Sequence, residues 1–370
     1  MTSNTLQKQP TILMMAAGTG GHVFPAIAVA HELQKQGAVV HWLGTLKGME
    51  NDLLANTDFI YHAIDMQGLR GNGIRRLLQA PNALLKATLA CVKIIKSNQI
   101  DMVVGFGGYV TAPGGLGAKI CQKPLVIHEQ NAIAGMSNHY LAKIAKTVMQ
   151  AFANTFTDLN PQKIITVGNP VRKAIINLPT PNQRINPMDT SPLKLLIVGG
   201  SLGSQALNNN IAPTLKQLES LGKPWQVRHQ CGKNNFDATK AVYDKADLQT
   251  TDYEILPFIT DMAQAYAWAD VIVCRAGALT VSEVASVGLT AIFIPLPSAV
   301  DDHQTANAKS LSEQNAGFLL PQSSLDADSL SAILASLDRT KILQISNKAR
   351  QFGNPQSTEQ CAKIILDNLN

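Results

Sequence analysis

Twice along the chain an apolar strand runs directly into a glycine turn and then into a helical pattern. Residues 11–17 lead into Gly18-Thr-Gly-Gly-His22, and a helical stretch over 23–36 follows and closes at Gly37. Leu193-Lys-Leu-Leu-Ile-Val198 leads into Gly199-Gly-Ser-Leu-Gly-Ser204, with a second helical stretch from Gln205 to about Leu221. A strand that continues as a helix reaches its next neighbour by crossover, so the strands accumulate in parallel. Further apolar segments fit the same alternation: 39–43, 102–105, 125–128 and 148–151 in the first half, then 226–229, 254–256, 271–274 and 291–294. The fold class is therefore α/β, with two doubly wound, Rossmann-like domains facing a cleft. In such sheets ligands sit beyond the carboxyl ends of the strands.

The 370 residues suffice for two such domains, and 45% hydrophobic against 15% charged residues is a globular balance. Residues 177–192 are polar and carry Pro179, Pro181, Pro187 and Pro192, which marks them as the expected linker. The net charge of +5 suits an anionic ligand or lipid surface and is too small to argue for nucleic acid. The five cysteines, Cys91, Cys121, Cys231, Cys274 and Cys361, show no Cys-x-x-Cys spacing, which points to a reducing compartment without structural zinc. The first ten residues lack the apolar centre of a signal peptide, and no apolar run reaches membrane-spanning length. A cytosolic protein with peripheral membrane contact is expected.

The glycine turns resemble dinucleotide fingerprints and fail in detail. Val23 occupies the third glycine position of the first, and Trp42-Leu-Gly-Thr45 replaces the acidic residue that should end the second strand. His22 opens a helix and suits a general base, against the plainer reading of a structural histidine. Arg275-Ala-Gly-Ala-Leu-Thr-Val-Ser-Glu283 again joins a strand to a helix. There Glu283 either accepts ribose hydroxyls or closes a capping box with Thr280. In Asp301-Asp-His-Gln304 the Gln304 amide suits sugar hydroxyls, while an Asp capping the helix is the alternative. Asp326-Ala-Asp328 matches a metal signature in letters, but its setting favours N-capping. His128-Glu-Gln-Asn131 and Gly107-Gly-Tyr109 stand at strand ends and are site candidates. Between residues 70 and 96, Arg70, Arg75, Arg76, Lys86, Lys93 and Lys96 are interleaved with leucines and isoleucines, a pattern suited either to an anionic bilayer or to a solvated helix face.

In order, Gly18-Thr-Gly-Gly-His-Val-Phe-Pro25, Gly105-Phe-Gly-Gly-Tyr109, His128-Glu-Gln-Asn131, Gly168-Asn-Pro-Val-Arg172, Gly199-Gly-Ser-Leu-Gly203, Arg275 to Glu283 and Asp302-His-Gln304 resemble the bacterial lipid I N-acetylglucosaminyltransferases, the MurG family. The resemblance runs from about Ile12 to Asn307. It implies a GT-B enzyme of peptidoglycan synthesis that moves N-acetylglucosamine from UDP-N-acetylglucosamine to the muramyl sugar of lipid I with inversion, giving lipid II and UDP. It implies donor contacts from Ser201, Ile259, Ala278, Leu279, Thr280, Val281, Ser282, Glu283 and Gln304, joined from the first half by Thr19, Gly20, Gly21, Asn131 and Arg172. Tyr109 and Asn138 would serve the acceptor, with His22 as base and Glu129 as the second catalytic candidate. Neither a cofactor nor a metal ion is implied. The partners would be the two substrates, an anionic membrane surface met by the N-terminal domain at the cytoplasmic face of the inner membrane, and other cell-wall synthesis proteins. Relatives of this fold return their last helix to the first domain, so the expected division is 1–176 with 350–370, and 193–349. Ser204 and Pro297-Ser-Ala-Val300 depart from the family's commoner residues. Three rivals stand beside this reading: a UDP-N-acetylglucosamine 2-epimerase, a nicotinamide dehydrogenase and a non-catalytic lipid-binding scaffold.

Overall fold

The computed structural model describes residues 9–66 and 73–369, with 73–79 and Val300 described by backbone alone. Its internal contacts divide the chain into Met1–Pro170 with Asn354–Asn370, and Val171–Gly353.

The first unit carries β1 (Thr11–Ala16), β2 (Val39–Thr45), β3 (Ile60–Ile64), β4 (Met102–Gly107), β5 (Leu125–Glu129), β6 (Thr147–Gln150) and β7 (Ile164–Thr166). They form one sheet in the order β3-β2-β1-β4-β5-β6-β7, parallel throughout. Ile12 and Met14 enter a core shared with helix Gly20–Lys35, whereas Leu13 and Met15 enter the opposite core with Val103 and Ile127. Both faces of β1 are covered, which is why it reads as an unbroken apolar run. The order reverses between β1 and β4, and there the register shifts so that Ala16 pairs with Gly107. That reversal places the ends of both strands at the topological switch point.

The second unit repeats the plan with β8 (Leu193–Val198), β9 (Trp225–Gln230), β10 (Asp252–Leu256), β11 (Val271–Cys274), β12 (Thr290–Phe293) and β13 (Phe318–Leu319). Their order is β10-β9-β8-β11-β12-β13, again parallel. Its switch point lies between β8 and β11, where Val198 is opposite Cys274.

Several details differ from the sequence expectation. The first helix starts at Gly20 rather than Val23, so His22 lies within its first turn. Residues 177–192, read as a linker, fold onto the second unit. Pro181 starts the short helix Pro181–Arg184, where its missing N–H costs nothing, and Ile185 is buried in the core. The Arg184 guanidinium donates to the Gly288 carbonyl at 2.8 Å. Helix Ser357–Asp367 packs in the first unit, with Cys361, Ala362 and Ile365 buried beside the apolar face of helix Gly20–Lys35. Asn354 Nδ2 donates to the Val167 carbonyl at 2.7 Å and secures its approach. Among the described residues no helix is long and apolar enough to cross a membrane.

Candidate active site

In the second unit, the adjacent strands β8 and β11 each end in a glycine turn that opens a helix, Gln205–Ser220 and Ala278–Val287. Neither helix has an acidic residue in its first turn, and Gly277 caps the second without any side-chain bond. Two helix N-termini side by side, one lacking a side-chain cap, present paired backbone donors and aligned dipoles of the kind that suits an anion. The turn at Gly199–Gly203 is held close to its neighbour. Gly203 has φ +77°, and a Cβ there would lie 1.8 Å from the Cys231 carbonyl oxygen, so no larger residue fits. Ser201 is exposed at the tip of this turn.

Ser204 Oγ takes the Leu207 N–H as a helix cap and also accepts from Arg275 at 2.7 Å. The same guanidinium donates to the Ile294 and Pro295 carbonyls and to Gln322 Oε1. Arg275 is thereby engaged in joining the ends of β11 and β12 to the helix cap. The hydroxyl at position 204 serves both the helix cap and that clamp.

Glu283 lies one turn further along helix Ala278–Val287. The helix starts at Ala278, so Thr280 is its third residue and not its cap, and the capping box weighed from sequence does not form. The Glu283 carboxylate instead accepts from Tyr266 Oη at 2.9 Å and from the Arg172 guanidinium at 3.1 Å. Burial raises its pKa, with Arg172 and the Tyr266 bond acting in the opposite direction. Arg172, expected among the donor contacts, is half exposed and paired with this carboxylate. A pocket of about 250 Å³ beside it is lined by Arg172, Ile175 and residues 260–263. In the neighbouring loop the backbone N–H and carbonyl of Ile259 make no hydrogen bond among the described residues, which leaves them open to a planar base. Gln304 Oε1 accepts the Leu296 N–H at 3.0 Å, so its orientation is fixed with the amide nitrogen left to donate. Asp301 and Asp302 both hold left-handed backbone, φ +52°, and Asp302 accepts from Thr305 Oγ1 rather than capping the backbone of the following helix. Ala278 and Val281 are buried, while Leu279, Thr280 and Ser282 are half-buried along the same helix.

In the first unit, β1, β4 and β5 bring His22, Tyr109 and residues 128–131 to one sheet edge. Thr19 is exposed, Gly20 and Gly21 open the helix, and the Tyr109 ring lies against Gly18. Gly107 has φ +113°, and a Cβ there would lie 2.6 Å from His22 Nδ1, so the backbone itself forms a wall of the imidazole's seat. His22 Nδ1 is 2.8 Å from Gln130 Oε1. Beneath this turn the fully buried Glu50 accepts from the Thr45 N–H at 2.9 Å and from Gly18 N–H at 3.4 Å. A protein carboxylate thus meets the N–H that opens the turn, an arrangement opposed to binding phosphate there.

Glu129 is 1% exposed and accepts four bonds: from the Asn131 N–H and Nδ2, the Gly135 N–H and Asn138 Nδ2. A carboxylate so occupied organises its loop, with both oxygens engaged by protein donors. Asn138 is 2% exposed, and its Nδ2 also reaches the His128 carbonyl, so it too shapes the loop from beneath. Asp326 caps helix Ala327–Ala335 through the Ser329 N–H at 2.7 Å, as its setting suggested. Among the described residues no cluster of three or more His, Cys, Asp or Glu could hold a metal ion. Sequence reasoning passed over Gln130, Glu50 and Tyr266. Gln130 stood inside a quoted motif, whereas the other two carried no signal.

Residues 12–150 match the glycosyltransferase family 28 N-terminal domain, and residues 194–363 match its C-terminal domain. The chain is 58% identical, over 98% of its length and 100% of the relative's, to a protein of Psychrobacter cryohalolentis named UDP-N-acetylglucosamine–N-acetylmuramyl-(pentapeptide) pyrophosphoryl-undecaprenol N-acetylglucosamine transferase. The crystal structure of Acinetobacter baumannii MurG is 46% identical with a TM-score of 0.85, covering 97% of this chain and 99% of that one. The calicheamicin glycosyltransferase CalG4 matches at a TM-score of 0.67 and 14% identity, covering 98% and 99%, a likeness of fold alone.

Proposed function

The chain belongs to glycosyltransferase family 28 and, within it, to the MurG family of lipid I N-acetylglucosaminyltransferases, and from that premise we propose how its residues divide the reaction. It is a hexosyltransferase that moves N-acetylglucosamine from UDP-N-acetylglucosamine to the muramyl sugar of undecaprenyl-diphosphate-linked lipid I, with inversion, giving lipid II and UDP for peptidoglycan synthesis. The observation that carries the donor assignment is the pair of adjacent helix N-termini after β8 and β11, with Glu283 one turn beyond.

The donor diphosphate lies against Ser201 and the first-turn N–H groups of Ala278, Leu279 and Thr280, with Val281 and Ser282 continuing that wall. The helix ends stabilise negative charge as UDP departs. Each Glu283 oxygen takes one protein donor and keeps a lone pair for a ribose hydroxyl. Uracil meets the Ile259 backbone, and Gln304 donates to the sugar. Arg172 reaches the donor once ribose shares Glu283. Thr19, Gly20, Gly21 and Asn131 face the transferred sugar, and Tyr109 faces the acceptor together with the loop shaped by Asn138 and Glu129. His22 takes the proton of the attacking hydroxyl. Of the two catalytic candidates, the four bonds on Glu129 favour His22. The enzyme works at the cytoplasmic face of the inner membrane, peripherally. On helix Gly73–Ser97, Leu85 and Leu89 are each 58% exposed amid exposed Lys86, Lys93 and Lys96, an apolar and basic face suited to anionic lipid. Arg70 lies outside the described residues, as do the side chains of Arg75 and Arg76.

The test is UDP release from UDP-N-acetylglucosamine with and without a short-chain lipid I analogue, followed by mass analysis. Acceptor-dependent release with a product heavier by one N-acetylhexosamine is expected. Release at the same rate without acceptor would overturn the transferase reading in favour of elimination or hydrolysis.

A further inference from the structure

From His22 inward the first unit holds an unbroken chain of side-chain hydrogen bonds. His22 Nδ1 meets Gln130 Oε1 at 2.8 Å, Gln130 Nε2 meets His128 Nδ1 at 3.0 Å, and His128 Nε2 meets the Gly168 carbonyl at 2.9 Å. Each proton along this chain is fixed by its inner end. A carbonyl oxygen only accepts, so His128 carries its proton on Nε2. His128 is fully buried, stacks on Phe106 at 5.0 Å between ring centres, and burial lowers its pKa to about 4, so the ring is neutral. Its Nδ1 is therefore an acceptor and needs a donor from Gln130. The Gln130 amide nitrogen supplies it, and also donates to the His128 carbonyl at 3.1 Å. A reversed amide would set an oxygen against two acceptors. The Gln130 oxygen consequently faces His22, whose Nδ1 must donate. Gln130 is itself 1% exposed, and Asn169 Nδ2 holds its backbone carbonyl at 3.0 Å.

We propose that Gln130 and His128 are positioning residues that lock His22 in the Nδ1–H tautomer, leaving the Nε2 lone pair as the atom that receives the acceptor hydroxyl's proton. In that step the hydroxyl O–H bond breaks as the oxygen attacks the anomeric carbon. The proton forms a bond with His22 Nε2, and the sugar–phosphate electron pair leaves with UDP. The Nδ1–H bond to Gln130 persists in the imidazolium, so the ring neither flips nor changes its partner. A free histidine, by contrast, divides its neutral form between two tautomers, one of which has no lone pair at Nε2. This inference rests on His22 being the base.

The test uses the full chain with ¹⁵N-labelled histidine, read by long-range ¹H–¹⁵N correlation spectra alongside steady-state kinetics. In the unmodified protein His22 should show a protonated Nδ1 and an unprotonated Nε2. Gln130→Leu removes the acceptor and should convert His22 to a mixture of tautomers. It should also lower kcat by about 10- to 100-fold, with the KM for UDP-N-acetylglucosamine changed by less than about twofold. Gln130→Glu restores an acceptor toward His22 Nδ1 and, with one proton taken up between its inner oxygen and His128 Nδ1, satisfies that partner as well; where it recovers the Nδ1–H tautomer it should recover most of kcat, a rescue that a merely structural role does not predict. An unchanged tautomer in Gln130→Leu, or a Gln130→Glu variant that regains the Nδ1–H tautomer without regaining kcat, would overturn the proposal. His22→Ala separates it from the reading beneath. If that variant keeps kcat while Gln130→Leu still shifts the tautomer, the base assignment fails and the lock stands.

Discussion

A carboxylate held by one tyrosine and one arginine can serve either stability or binding, and Glu283 separates the two. Burial raises its pKa more than Arg172 and Tyr266 lower it. A carboxyl whose folded pKa lies above its unfolded value contributes most below the unfolded pKa, and that contribution is lost as pH rises through the folded one. Above its folded pKa the ionised group is thus a net burden on the fold. Glu283→Gln should raise the melting temperature at pH 7 by roughly 1–3 °C, a gain that fades below about pH 4, while weakening UDP affinity about tenfold as the charge-assisted bonds to ribose disappear. Calorimetry at several pH values together with UDP titration reads both effects; a variant that binds UDP like the parent rules out the ribose role. A second residue-scale expectation concerns Gly107, whose φ of +113° and 2.6 Å approach to His22 exclude a side chain. Gly107→Ala should displace the imidazole and reduce kcat by at least about tenfold, while UDP affinity stays within about twofold, since the groups proposed to hold UDP itself lie on the other unit. Equal losses in both would show that the defect is global.

At the scale of elements, legibility followed burial except at the edge strand β10, whose segment 254–256 was read from the sequence although it is exposed or half-buried. β1, β4, β8 and β11 sit at the centres of their sheets, covered on both faces, and their apolar runs were evident in the sequence. β3, β7 and β13 lie at sheet edges, are two to five residues long and largely exposed or half-buried, so no run marked them. The prolines of 177–192 misled for a related reason. Pro181 reads as a breaker, yet at the first position of a helix it is a starter, and only the tertiary bonds of Arg184 show that the segment is docked. In the site, the residue types with obvious chemistry stood out, whereas Gln130, Glu50 and Tyr266 acquire their roles from neighbours distant in sequence. The last helix, Ser357–Asp367, allows a direct check of its contribution. Ile365 is fully buried in the core it shares with helix Gly20–Lys35, so Ile365→Ala should destabilise by about 2–4 kcal/mol. Lys363→Ala, at an exposed position paired with Asp367 one turn along the same helix, should cost under about 0.5 kcal/mol. Urea midpoints compare the two, and a cost for Ile365→Ala as small as that for Lys363→Ala would mean the helix is not docked in solution.

At the scale of the whole molecule, a soluble sugar nucleotide and a lipid-borne acceptor pose different problems, and the charge and apolar surface of the chain bear on the second. The net charge of +5 favours anionic surfaces without selecting any. The exposed Leu85 and Leu89 add apolar contact where Lys86, Lys93 and Lys96 supply positive charge, on a helix too polar to span a bilayer. As the proposed membrane face it would bind by partition plus electrostatics, so its hold should weaken with salt and nearly vanish on uncharged vesicles. Replacing both Leu85 and Leu89 with Gln should reduce binding to anionic vesicles by about tenfold, because two apolar side chains no longer leave water. The same variant should turn over a short-chain soluble acceptor at the parent rate and lose activity only when the acceptor is embedded in vesicles. Parallel loss on both acceptors would assign the leucines to the acceptor site. Unchanged vesicle binding would move the membrane face elsewhere on the chain.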